Sequence, residues 1–206
     1  MNLLAHTYVA MASGDNAPGY LLGAVLPDLA SMARVRIDRS RLPAPLARGV
    51  HCHVRADAAF HGHPQFIRGA AAIRDDVAER GVAHGAARAI GHVGWELLLD
   101  GRFVGSPVHR AHRRALAEGE QALAAVRVAD RPRWARFLSL RDRAAELRYD
   151  EPPWVAERLL QVLAPRPRLR FAAEQLPAVA EVLERHAARV ADVADDVLAA
   201  TMRAMR

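Results

Sequence analysis

The chain has 206 residues, 51% of them apolar, enough for a proper hydrophobic core, so neither a disordered chain nor a small disulfide-stapled scaffold is needed to explain it. Its single cysteine, Cys52, rules out an intramolecular disulfide and a Cys-rich structural zinc module, and points to a reducing compartment. The net charge of +6 is carried wholly by arginine, with no lysine present, and favours anionic partners, whether acidic proteins, phosphate esters or nucleic acid. With three tryptophans, few other aromatics and no helix-turn-helix or RNA-binding signature, nucleic acid is the least attractive of these.

In chain order, the opening segment MNLLAHTYVAMASGDNAPGYLLGAVLPDL carries His6, Asp15 and Asp28 and lacks the basic start of a secretory signal, so it reads as mature structure. No apolar run approaches the roughly 18 to 20 residues of a membrane-spanning helix, and a cytoplasmic protein is expected. His6 follows NLLA, where a packed core histidine is an equal explanation. Asp28 follows Pro27, where a turn or a helix N-cap would also account for an aspartate.

The segment GVHCHVRADAAFHGHP places His51, His53, Asp57, His61 and His63 close together. On a helix His53 and Asp57 share a face, while His51 points away by about 160° on a period of 3.6 residues. These groups cannot all bind one ion. His51 is expected to face the site, with the others orienting ligands or contacting phosphate.

Residues 70–100 read as two helices around Gly81, because apolar positions recur at three and four residues. Here His92 and Glu96 form an i, i+4 pair on one face, close enough to grip one ion, and Asp100 extends that face. A solvated surface carboxylate is the plainer alternative, but Trp95, Leu97, Leu98 and Leu99 argue against a wholly exposed helix. Residues 109–127 and 174–205 keep the helical period, the latter with a stripe of Leu176, Val179, Val182, Leu183, Val190, Val193 and Val197. Loops are expected at Gly14 to Gly19 and around Pro43, Pro45, Pro132, Pro152, Pro153, Pro165 and Pro167. No strand pattern and no internal repeat interrupts this, so the expected fold is all-α, a single-domain compact helical array over residues 1–206. Histidine is concentrated before residue 113, with only His186 after it, so a metal site is expected mainly within residues 1–112.

Several segments in register resemble the acyl carrier protein phosphodiesterase family, which belongs to the helical HD-type metal-dependent phosphohydrolases. They are MNLLAH (Met1 to His6), GYLLGAVLPD ending at Asp28, GVHCHVRAD (Gly49 to Asp57), His63 with Pro64, WELLL (Trp95 to Leu99) and RPRL (Arg166 to Leu169). The resemblance implies an HD-domain-like fold. It also implies hydrolysis of the phosphodiester joining 4′-phosphopantetheine to a carrier-protein serine, with a divalent cation, often manganese. An acidic carrier protein, or a small phosphoester, would suit the arginine-rich surface. The chain departs from the family pattern where that has an aspartate, three residues and an Asp-His doublet. Here stand His92, three residues, then Glu96 and Leu97, and His61 likewise replaces an aspartate.

The resulting expectation is a metal-dependent phosphodiester hydrolase in which His6, Asp28, His51, His92 and Glu96 hold one or two divalent ions. Manganese is favoured, with zinc or iron as alternatives, and Asp57, His61 or His63 handles protons. Two other classes fit the same residues. One is a non-catalytic helical protein that binds an acidic partner, with binding that survives chelation. The other is a metal enzyme with redox chemistry, which would hold iron and consume oxygen.

Overall fold

A computed structural model of the chain describes residues 1–141 and 147–206. Among the described residues there are ten α-helices and no strand, only an isolated bridge between Ile37 and Val128, so the fold is all-α as the periodicity predicts. No helix among them is long and apolar enough to cross a membrane. The helices are α1 (Leu3–Ala12), α2 (Pro18–Ala33), α3 (Ala44–His61), α4 (Pro64–Glu79), α5 (His84–Gly101), α6 (Pro107–Glu118), α7 (Glu120–Ala125), α8 (Arg131–Arg141), α9 (Pro152–Leu163) and α10 (Leu176–Ala204).

Proline begins helices here and, among the described residues, interrupts none of them: Pro45, Pro132 and Pro153, where loops were expected, lie in the first turns of α3, α8 and α9. Pro18, Pro64, Pro107 and Pro152 sit at the first helical positions of α2, α4, α6 and α9, where the missing N–H would have no intrahelical partner in any case. Ser106 caps α6 by accepting from the backbone N–H groups of Val108 and His109. Gly81, at φ +82°, turns the chain out of α4, which accounts for the break between the two helices expected over 70–100. Pro27 behaves differently: α2 runs straight through it, so Asp28 is an interior helical residue and neither a turn nor an N-cap.

The chain divides into two compact units, each assembled from discontinuous segments. Unit 1 comprises Met1–Ala58, Gly105–Leu147 and Ala204–Arg206; unit 2 comprises Ala59–Val104 and Arg148–Arg203. Because both units draw on separated stretches of chain, no linker of distinct composition marks the division.

In unit 1, α2 and α3 supply Leu22, Val25, Leu26, Leu29, Leu46 and Val50 to a buried cluster completed by Leu123, Val126 and Trp134. The Trp134 indole donates to the Leu123 carbonyl at 2.8 Å, which satisfies the one polar atom of that side chain. α2 and α3 cross glycine on glycine, at Gly23 and Gly49. This close approach fixes where Asp28 and the histidines of α3 lie.

In unit 2, α4 and α5 pack tightly because Gly69 lies against the Trp95 indole and Gly91 against the Ala70 carbonyl. α10 buries Val179, Val182, Leu183, Val190 and Val197 from the expected stripe, along with His186. The His186 Nε2 is 2.9 Å from an Asp76 carboxylate oxygen, giving that buried ring a partner.

Candidate metal centres

Two groups of side chains have the composition and spacing to hold a metal ion among the described residues, His6 with Asp28 and His53, and His61 with His92 and Glu96. In each, one ligand atom per residue can be chosen so that all lie within 4.8 Å of one another. The first group is complete within unit 1 and the second within unit 2.

The first centre is built by α1, α2 and α3. His6, on α1, is buried at 1% exposure. Its Nε2 lies 3.7 Å from Asp28 Oδ2 and 3.6 Å from Asp57 Oδ1, and neither ring nitrogen has a hydrogen-bond partner within 3.5 Å. Two ligands about 2.1 Å from a common ion, set at a roughly tetrahedral angle, stand about 3.4 Å apart. The His6–Asp28 separation therefore fits an ion with a shift of a few tenths of an ångström, while His53 Nδ1 stands 4.0 Å from Asp28 Oδ2. The His53 ring stacks on that of His6 at 3.9 Å and donates from Nδ1 to the Ala24 carbonyl at 2.9 Å. That bond fixes the tautomer and leaves Nε2 with its lone pair for ligation.

Electrostatics favour the ligating form of both rings. Burial drives the His6 pKa down from 6.5 to about 3, against the pull of Asp57. Burial likewise lowers His53, against the Ala24 hydrogen bond and Asp57, with the Met1 amino group and then the Arg39 guanidinium adding to the lowering. Two neutral imidazoles and a carboxylate remain, the donor set of a divalent transition ion. The Asp57 carboxylate accepts from the Met1 amino group at 2.9 Å, and its side chain keeps 34% exposure, so the centre has a side open to solvent.

These shifts set an acid limit on stability. The unfolded chain protonates His6 near 6.5, whereas the folded chain resists protonation down to about 3. Metal-free protein is therefore expected to be fully stable above pH 6.5 and to lose roughly 1 kcal/mol per pH unit from His6 as the pH falls towards 3. Urea unfolding of chelator-treated protein between pH 7.5 and 4.5 measures this, with His6→Gln flattening the profile.

The second centre is built by the last residue of α3 and by α5. Glu96 Oε1 is 2.9 Å from His61 Nε2 and 3.3 Å from His92 Nε2. Burial opposes ionisation of Glu96, but positive charge and then the hydrogen bonds from His61 and His92 act the other way, and the carboxyl is held well below its ordinary range. The two imidazoles stack at 4.9 Å, and the Phe66 edge meets both of them.

The residues expected from sequence thus separate. His6 and Asp28 meet in one centre, His92 and Glu96 in the other, and His61 is a candidate ligand beside them, where a proton-handling role was expected. His51 is exposed on α3 and belongs to neither centre; His53 takes the position expected for it. The reason lies in the helix face: Leu46, Val50, His53 and Phe60 recur at three, four and seven residues and are all buried. His51, about 200° round from His53, points outward. His63 caps α4, accepting from the Gln65 N–H at 3.3 Å. Sequence reasoning also passed over the buried pair of Thr7 and His112, whose Nδ1 donates at 3.1 Å to a hydroxyl already committed to the Leu3 carbonyl.

No family model, curated protein or solved structure matches the chain. The fold and these two groups define an all-helical protein with two clusters of histidine and carboxylate spaced to hold a cation.

Proposed function

We propose that the chain is a divalent-metal-dependent phosphohydrolase of the acyl carrier protein phosphodiesterase kind, with its ion held by His6, Asp28 and His53. The observation that carries this reading is the His6 ring, buried, held neutral and without a hydrogen-bond partner beside two carboxylates. An imidazole is costly to bury in that state unless something ligates it.

The N₂O donor set accepts manganese, the ion that the sequence resemblance implies, and zinc or iron would fit the same donors. Such an ion supplies Lewis acidity towards a phosphoryl oxygen and lowers the pKa of water. The residues of the chain do the rest. His53, tied to the Ala24 carbonyl, and His6, locked in α1, present preset ligand geometry. Asp57, half-exposed and 3.6 Å from His6, takes the proton from the attacking water. The Met1 amino group and, more weakly, Arg39 disfavour the protonated form of His53 and add positive charge that suits a phosphodiester. The acidic carrier protein, like the HD-type arrangement of ligands, belongs to this proposal through the resemblance of MNLLAH, the Pro27–Asp28 pair and HCHVRAD.

Hydrolysis of bis(p-nitrophenyl) phosphate, and release of phosphopantetheine from a holo carrier protein, test the reading in manganese and in excess chelator. Turnover is expected with manganese and absent with chelator. Asp57→Asn is expected to lower kcat by about 10²- to 10⁴-fold while manganese affinity stays within a few-fold. Unchanged turnover in that variant would remove Asp57 from its role, and turnover that survives chelation would overturn the metal-dependent assignment.

A further inference from the structure

We propose that His61, His92 and Glu96 form a second site, for a late first-row divalent ion, zinc foremost, and this does not rest on the phosphohydrolase reading. Three features of the geometry support it, and each is local to unit 2.

The first is spacing. Zinc lies about 2.0 to 2.1 Å from nitrogen and oxygen ligands, so two ligands at a tetrahedral angle stand about 3.3 Å apart. The His92 Nε2 to Glu96 Oε1 separation is 3.3 Å and that from His61 Nε2 is 2.9 Å. An ion enters this triangle with a shift of a few tenths of an ångström at His61. Both imidazoles direct the same ring nitrogen at one carboxylate oxygen. That is a hydrogen-bonded triad when both nitrogens carry protons, and a metal site when an ion displaces them.

The second is support. Phe66 meets the His61 ring at 5.0 Å and the His92 ring at 5.2 Å, both edge-on, and Phe60 packs on His61 at 5.3 Å. Trp95 in turn packs on Phe60 and Phe66. Phe60, Phe66 and Trp95 are buried, so the ligands stand on a rigid apolar base that holds the rings before any ion arrives.

The third is access. Glu96 is 10% exposed at its side chain, whereas His92 is 48% exposed, so an ion reaches the carboxylate from the His92 side without the fold opening. Three protein ligands leave a fourth tetrahedral position for water or a small anion. Two imidazoles with one carboxylate favour zinc, cobalt, nickel or copper over magnesium or calcium, whose preferred ligands are all oxygen.

The test is a titration of the chelator-stripped, untagged full chain with cobalt(II), followed through its visible absorption, and with zinc by calorimetry. It is run on wild type, His92→Ala, Glu96→Gln and Asp28→Asn. His92 is on the surface, so its truncation leaves the fold in place, and Glu96→Gln keeps the shape while removing the charge. Wild type and Asp28→Asn are expected to show the absorption of a tetrahedral cobalt site. His92→Ala and Glu96→Gln are expected to lose one equivalent of that cobalt binding, with zinc affinity at that site falling at least about 100-fold. Identical titrations in wild type, His92→Ala and Glu96→Gln would overturn the proposal and leave the triad as a hydrogen-bonded cluster. Loss of all cobalt binding in Asp28→Asn alone would overturn it as well. Failure of the proposed function reads differently: no manganese binding in wild type, with the cobalt signal present and still dependent on His92.

Discussion

Asp28→Asn is expected to lower manganese affinity at the His6–Asp28–His53 centre by at least about 100-fold, or roughly 3 kcal/mol, without changing helical content. Asp28 is the one charged member of that group, since both rings are held neutral. The amide keeps the shape of the side chain and one oxygen, so packing in α2 is preserved while the attraction to a dication is lost. The carboxylate of Asp57, 3.6 Å from His6, would compensate in part if it moved in as a ligand. The double variant Asp28→Asn/Asp57→Asn separates these contributions, and its manganese binding is expected to be undetectable. Binding within a few-fold of wild type in both variants would show that the ion, if any, sits elsewhere.

Gly23→Ala is expected to lower the stability of unit 1 by about 3 kcal/mol. A β-carbon at Gly23 would stand 2.3 Å from the Leu46 carbonyl oxygen and 2.9 Å from the Gly49 α-carbon. Both obstacles are backbone atoms, so no side-chain rotamer relieves the clash and the two helices must separate. Gly49 meets the same limit from the other side, since its β-carbon would lie 2.2 Å from the Tyr20 carbonyl oxygen. The cost reaches the site. Ala24, the next residue of α2, holds the His53 ring through its carbonyl, and Asp28 follows one turn later. Separation of α2 from α3 therefore degrades the metal geometry along with the Leu22, Leu26, Leu46 and Val50 packing. Urea denaturation and manganese titration of the one variant check both effects. A Gly23→Ala protein with wild-type midpoint and affinity would mean that the crossing tolerates a methyl group and that the helix spacing does not set the site.

What the sequence disclosed, and what it did not, follows from the range of the physics involved. Helical periodicity is local, so α4, α5 and α10 were legible, down to the break at Gly81. Over the length of α10 the buried face drifts: Ala194 and Leu198 are buried while Val193 is only half-buried, as a residue spacing that differs slightly from a fixed repeat requires. The stretch 109–127 was legible as helical but was not divided into two helices. The interruption between α6 and α7 falls at Gly119, a local signal of the same kind as Gly81, and its β-carbon would also stand 2.3 Å from the Leu22 side chain of α2. Pro27 reads as a helix breaker and is carried inside α2.

At the site, the angular separation of His51 from His53 was legible, but the inward choice required weighing Leu46, Val50 and Phe60 on the same helix. Grouping was the harder step. The i, i+4 spacing of His92 and Glu96 is a local relation and survives in the structure. Which distant residues join them is set by helix packing, and His61 at the end of α3 is the one that does. His6 and Asp28, pooled with them in a single expected site, meet His53 in a centre of their own.

The most direct test of the account is manganese binding by chelator-stripped protein, followed by electron paramagnetic resonance, in wild type and in His6→Ala. One tightly bound manganese is expected in wild type and loss of that binding in His6→Ala, with the cobalt site on His92 and Glu96 still filling. Manganese bound equally by both proteins, or by neither after reconstitution, would contradict a centre built on His6, Asp28 and His53.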